Sequence, residues 1–131
     1  MIFVDTNYFL RYLLQDDPRQ YNVAKQLFVD AASGQKQLIT STIVLFEIFW
    51  VLKSYYNMEK ALIIVTIRNI LKLQFITLDD RSILEKALGY FAKTNLSLED
   101  CYNIAYAKSK VAKVFKTFDV KLEKEFKKKT N

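Results

Sequence analysis

The sequence predicts an α/β fold, a parallel sheet with helices on both of its faces. Three observations carry this. Apolar runs of strand length recur along the 131 residues and alternate with segments of helical periodicity. Gly occurs 2 times and Pro 1 time, too few for an all-β chain built on tight turns or for long linkers. Hydrophobic residues make up 51% and charged residues 26%, enough apolar surface for one core.

The elements follow in order. Residues 2–5 (IFVD) read as a short buried strand, continuously apolar up to its terminal acid. Residues 7–14 then turn helical, and Asp16-Asp17-Pro18 breaks the pattern and opens a second helix, with Pro18 suited to the first turn. Tyr21, Ala24, Leu27, Phe28 and Ala31 form its buried stripe, and Ser33-Gly34 ends it. Residues 38–40 (LIT) are a second strand. Ser41 or Thr42 caps a strongly apolar helix, IVLFEIFWVL, and residues 59–72 form another helix. Residues 75–78 (FITL) are a third strand, with Asp79-Asp80 starting the helix 81–93. Ser97 begins the helix LEDCYNIAYAKSK. Residues 111–117, near VFKTF, hold a fourth strand, and Asp119 opens a last helix that runs into a lysine-rich tail, residues 121–131. Strands that alternate with helices imply βαβ units.

Composition bounds the chemistry. The length suits a single domain over 1–131. No apolar run reaches the roughly 18 residues of a membrane span, and the N-terminus lacks a basic region and cleavage site. The one cysteine, Cys101, cannot form an internal disulfide, which fits a reducing, cytoplasmic setting. The net charge of +6 suits nucleic acid or acidic partners, and equally well ordinary solubility. Histidine is absent, so histidine acid–base catalysis, Ser-His-Asp triads and histidine-bound zinc are all excluded. An enzyme here relies on carboxylates, other side chains, or a metal held by oxygen.

Four acids stand out by position. In open α/β folds, ligands bind beyond the carboxyl ends of the strands. Asp5 ends the first strand and Asp119 follows the fourth. Each has an alternative role as a helix cap. Glu47 sits in a segment apolar on every side, which predicts a buried helix in which a carboxylate needs a partner or a cation. Asp100 follows Ser97 at capping-box spacing, so a role in the first turn competes with a role in chemistry, and Glu99 beside it stays open as an alternative. Clustered carboxylates repel unless a divalent cation joins them. Hard oxygen ligands suit Mg²⁺ or Mn²⁺, and such an ion can activate water and neutralise phosphate charge.

These residues resemble the PIN domain and, within it, the VapC-like toxin ribonucleases. The likeness rests on VDTNYFLRYLLQDDP at the start, FE in the third helix, LSLEDCYNIAYAKSK, and TFD, in that order along nearly the whole chain. It implies a three-layer α/β/α sandwich with a short parallel sheet. It implies that Asp5, Glu47, Asp100 and Asp119 surround one or two Mg²⁺ or Mn²⁺ ions, with Thr6, Asn7 and Thr117 orienting the acids. It further implies an endoribonuclease that leaves a 3′-hydroxyl and a 5′-phosphate. Toxins of this type are usually paired with a small antitoxin and often dimerise. One departure is visible: no apolar run follows Phe126, so the sheet is expected to stop at four strands, with a fifth left open.

Two enzyme classes with similar topology fit less well. A receiver domain wants an acid pair after the first strand, and a haloacid-dehalogenase-type phosphatase wants Asp-x-Asp, where Asn7 stands here. The other reading is a non-catalytic PIN-fold protein that binds RNA or a partner. Arg11 is a candidate phosphate contact, against a solvated helix face. Phe28, Phe46, Phe49 and Trp50 are expected in the core.

Overall fold

A computed structural model describes residues 1–128 of the chain. The tail expected over 121–131 therefore lies partly, at 129–131, outside the described residues. The chain divides into two compact units, Met1–Asp80 and a second that begins at Arg81.

The first unit holds the sheet. Its elements are β1 (Ile2–Phe3), α1 (Thr6–Leu14), α2 (Pro18–Ala32), β2 (Leu38–Ile39), α3 (Thr42–Ser54), α4 (Lys60–Leu71) and β3 (Ile76–Thr77). The strands are parallel in the order β1-β2-β3, with Ile2 opposite Leu38 and Leu38 opposite Ile76. Each strand is a single pair of residues, and flanking bonds extend the ladder: Val4 N–H donates to Ile39 C=O at 2.9 Å and Thr40 N–H to Thr77 C=O at 3.1 Å. The buried Thr40 hydroxyl donates to Val4 C=O at 2.9 Å. That bond satisfies a carbonyl the ladder leaves open and fixes the backbone one residue before Asp5.

Helix starts follow side-chain chemistry. Asp17 accepts from Gln20 N–H with Pro18 at the first position of α2, and Ser41 accepts from Val44 N–H. Beyond α2, Gly34 takes φ +86, a turn that a side chain would oppose. The core gathers Val4, Phe9, Leu10, Phe28, Leu38, Leu45, Ile48, Leu52, Ile63, Ile67 and Ile76. Phe28 packs against Phe9 at 5.6 Å and edge-on to Tyr12 at 5.0 Å between ring centres.

The second unit is helical: α5 (Arg81–Lys93), α6 (Leu98–Ser109) and α7 (Val120–Lys127). Helices α5 and α6 pack together and bury Leu84, Leu88 and Phe91 on one side, Leu98, Cys101 and Ile104 on the other. Phe115 and Phe126 lie 5.2 Å apart, and the Lys108 ammonium sits 5.8 Å from the Phe126 ring.

The fold is of the expected α/β class, mostly helical with a short parallel sheet, and four expectations are corrected. Among the described residues the sheet has three strands, not four or five. At 111–117, the end of α6 consumes the beginning of the expected strand: Lys110, Val111 and Ala112 turn their N–H groups back onto the carbonyls of Tyr106, Ala107 and Lys108. Val111 takes φ 58, and the residues after it form no ladder, with Val114 64% exposed. Lysines at 113 and 116 interrupt the apolar run, which leaves no continuous face to bury. Secondly, β1 is a sheet edge and not a buried strand, so Phe3 is 56% exposed while Val4 is buried. Thirdly, α3 is not buried all round. One stripe of it, Ile43, Glu47 and Trp50, faces solvent, because α1 and α4 cover only its other sides. Fourthly, Trp50 leaves the core with that stripe, 45% exposed, while Phe28 and Phe49 are buried.

A β-branched residue in the left-handed region costs roughly 1 to 2 kcal/mol that glycine avoids. Val111→Gly is therefore expected to raise unfolding free energy by about 0.5 to 1 kcal/mol, since the exposed side chain loses little packing. Urea unfolding followed by far-UV circular dichroism checks this, and a loss of stability refutes the strain.

Candidate active site

Asp5 leaves β1 and becomes the N-cap of α1. Its backbone is extended (φ −87, ψ 168), and its Oδ1 accepts the Thr6 N–H at 2.8 Å. The cap answers one half of the sequence question. The other carboxylate oxygen has no hydrogen-bond partner among the described residues, and Asp5 is exposed. One acid thus caps a helix and still offers an oxygen outward.

Thr6 is buried, and its hydroxyl donates to Glu47 Oε2 at 2.9 Å. A single residue therefore binds both candidate acids of the first unit, Asp5 through its N–H and Glu47 through its O–H. Helix α3 brings Glu47 there because Ile48, Phe49, Leu45 and Leu52 bury its other faces. Glu47 is exposed, and its second oxygen also lacks a partner among the described residues. Asn7, expected beside the acids, is exposed one residue further along α1 and faces a cleft of about 550 Å³ between α1 and α2.

In the second unit, Asp100 is the third residue of α6. Its N–H donates to the Ser97 N-cap hydroxyl at 3.1 Å, and no partner takes its carboxylate among the described residues. Next to it, Glu99 Oε1 is buried with no hydrogen-bond partner, which singles out a residue that spacing alone left as the alternative. Burying a carboxylate oxygen without a donor is costly, so this is an unmet demand in α6. Asp119 caps α7, its Oδ1 accepting from Leu122 N–H at 3.1 Å. Thr117 Oγ1 accepts from the Asp119 N–H at 3.0 Å, so Thr117 holds the backbone of the acid and does not touch its carboxylate.

The site residues fall in two groups: Asp5, Thr6, Asn7 and Glu47 in the first unit; Asp100, Thr117 and Asp119 in the second. Among the described residues, no three acidic, cysteine or histidine side chains are placed as a metal cluster. The first pair suits a hard divalent cation all the same. Mg²⁺ needs only one or two carboxylates besides water and substrate oxygens, and Asp5 and Glu47 each keep a free oxygen. None of the four acids pairs with a lysine or arginine among the described residues.

Arg11 is committed elsewhere. Its guanidinium lies 2.8 Å from Asp16 Oδ1, and the Tyr56 hydroxyl donates to Asp16 Oδ2 at 3.3 Å. Partial burial pulls the Arg11 pKa down, but the charge and hydrogen bond of Asp16, with Tyr56, outweigh it and hold it above its ordinary value. The Tyr56 bond ties the turn after α1 to the turn after α3.

A family model for the PIN domain matches residues 2–126, almost the full length. The chain belongs to the PIN-domain family. No curated protein and no solved structure gave a significant match. PIN domains are generally metal-dependent nucleases that act on RNA.

Thr6→Val removes the hydroxyl at nearly constant volume and leaves Glu47 Oε2 without its donor. We expect a loss of about 0.5 to 1.5 kcal/mol in unfolding free energy, with Thr6→Ser retaining most of the wild-type value. A loss in Thr6→Ser with none in Thr6→Val, measured by urea unfolding, would show that the methyl group and not the bond matters.

Proposed function

We propose that this PIN domain is a Mg²⁺- or Mn²⁺-dependent endoribonuclease, the toxin of a type II toxin–antitoxin pair. The observation that carries the reading is the Thr6 bridge: two carboxylates from different helices held by one buried residue, each with an oxygen left over. The bridge satisfies a buried hydroxyl, and it also holds two carboxylates as a cation site needs its ligands held.

Asp5 and Glu47 would hold the metal. When bound, it would lower the pKa of a coordinated water and offset charge on the phosphodiester. The chain supplies the rest. Thr6 keeps both carboxylates in one orientation, and Thr40 pins the backbone from which Asp5 projects. Asp100 is assigned to ligating metal or positioning the attacking water, and Asp119 to a further carboxylate ligand, with its backbone held by Thr117. Glu99 joins Asp100 as a residue to vary, given its unpartnered oxygen. The family likeness adds a 5′-phosphate and 3′-hydroxyl as products, a small antitoxin and a second copy of the chain as partners, and the cytoplasm as location. A single functional domain over 1–131 accords with a family match that runs through both units.

The test couples metal and cleavage. Mn²⁺ at ten times its dissociation constant should stabilise the wild type by about 1.4 kcal/mol and Asp5→Asn far less. Asp100→Asn should lose RNA cleavage while keeping RNA affinity. Cleavage by repurified Asp100→Asn at the wild-type rate sinks the assignment of that residue. A protein that binds RNA, ignores Mn²⁺ and cuts nothing is the non-catalytic alternative.

A further inference from the structure

The cleft between α1 and α2 begins within one turn of Asp5, because Asn7 and Tyr8 line it. Its volume, about 550 Å³, lies in the range of small-ligand pockets. The chemistry of its walls is specific. Tyr8 is 40% exposed and makes no ring contact among the described residues, although most of the aromatic side chains of this unit pack against others. Arg19, in the first turn of α2, is an exposed cation with no acidic partner among the described residues. Asp17 also lines the cleft, with one oxygen capping α2 through Gln20 N–H, and Asp16 takes Arg11. Asn7 and Gln20 add side-chain amides, each able to donate and to accept, and Arg11, Val23 and Ala24 also line the cleft.

A free aromatic face, an unpaired guanidinium and two amides in one cleft correspond to the three parts of a nucleotide: a base face to stack on, a phosphate, and base edges to bond. An acidic peptide can bond the arginine and the amides, whereas a planar base makes full use of the exposed ring face. We infer that this cleft is a subsite for one unstacked nucleotide of single-stranded RNA flanking the scissile bond, with Tyr8 stacking on the base and Arg19 binding phosphate. The inference rests on the ribonuclease reading above. It makes Tyr8 and Arg19 determinants of which RNA is held, not members of the reacting set.

Binding is measured by fluorescence anisotropy with a short labelled single-stranded RNA of random sequence, in EDTA so that no cutting occurs. Tyr8→Ala and Arg19→Ala should each weaken binding on the order of tenfold, and Tyr8→Phe should restore it. Arg19→Ala should also flatten the dependence of log Kd on log salt by about 0.7. Lys72→Ala removes an exposed cation of the same unit outside the cleft and should change Kd less than about twofold. If Tyr8→Ala and Arg19→Ala bind like Lys72→Ala, the subsite is refuted, and Mn²⁺-dependent cleavage by the wild type, assayed in parallel, shows whether the ribonuclease reading survives it. If the wild type neither binds nor cuts RNA, both fall. Displacement of the RNA by poly-glutamate from the wild type but not from Arg19→Ala assigns the cleft to an acidic protein partner instead.

Discussion

Much of the first unit is organised around the contact of Thr6 with Asp5 and Glu47. A helix start leaves N–H groups that need acceptors, and Asp5 meets one of them. That use would by itself fold the carboxylate back onto its own helix. The threonine hydroxyl, buried and directed at α3, links this local cap to a residue 41 positions away. Burial of Thr6 makes the link specific, because a hydroxyl withdrawn from water is costly to leave unpaired. The same economy recurs one residue upstream of Asp5, where the Thr40 hydroxyl closes the open carbonyl of Val4. Two threonines, from neighbouring parts of the sheet edge, thus set where the first acid stands.

The rest of the unit supports this geometry from behind. Leu45, Ile48 and Leu52 fix the rotation of α3, so Glu47 lies on its face away from the core. Phe9 and Leu10 do the same for α1. Short strands suffice because the ladder is continued by Val4 and Thr40 beyond the paired residues. The sheet acts mainly as a ruler that sets the levels of Asp5 and Thr40, while helix packing supplies most of the buried apolar surface.

The sequence made the helices legible because they are marked by chemistry as well as by period. Asp17-Pro18, Ser41, Ser97 and Asp119 each announced a start, and each caps the helix it precedes. Residues 111–117 misled because two apolar pairs among lysines read as a strand, while the backward turn at Lys110–Ala112 depends on a left-handed valine that no pattern announces. The burial expected of Glu47 is corrected by the structure. Its segment is apolar throughout, yet Ile43 and Trp50 are exposed, and a side chain's partners rather than its neighbours in sequence decide its burial. The Thr6 bridge itself lies beyond sequence reading, since it joins residues whose meeting is set by packing. Glu99 was named only as an alternative, and nothing in its local pattern distinguishes a satisfied carboxylate from an orphaned one.

The exposed stripe of α3 has a further effect on whatever covers it. Glu47 stands between Ile43 and Trp50, two apolar side chains in contact with water. While the face is open, solvent screens the carboxylate at little cost. A body lying across the stripe gains from both apolar neighbours but strips water from the charge between them, and an anion sealed in that way is penalised unless a positive charge arrives with the cover. The stripe therefore favours a visitor that brings positive charge over one that is merely greasy, and the Lys53 ammonium, 5.3 Å from the Trp50 ring, already sits beside it.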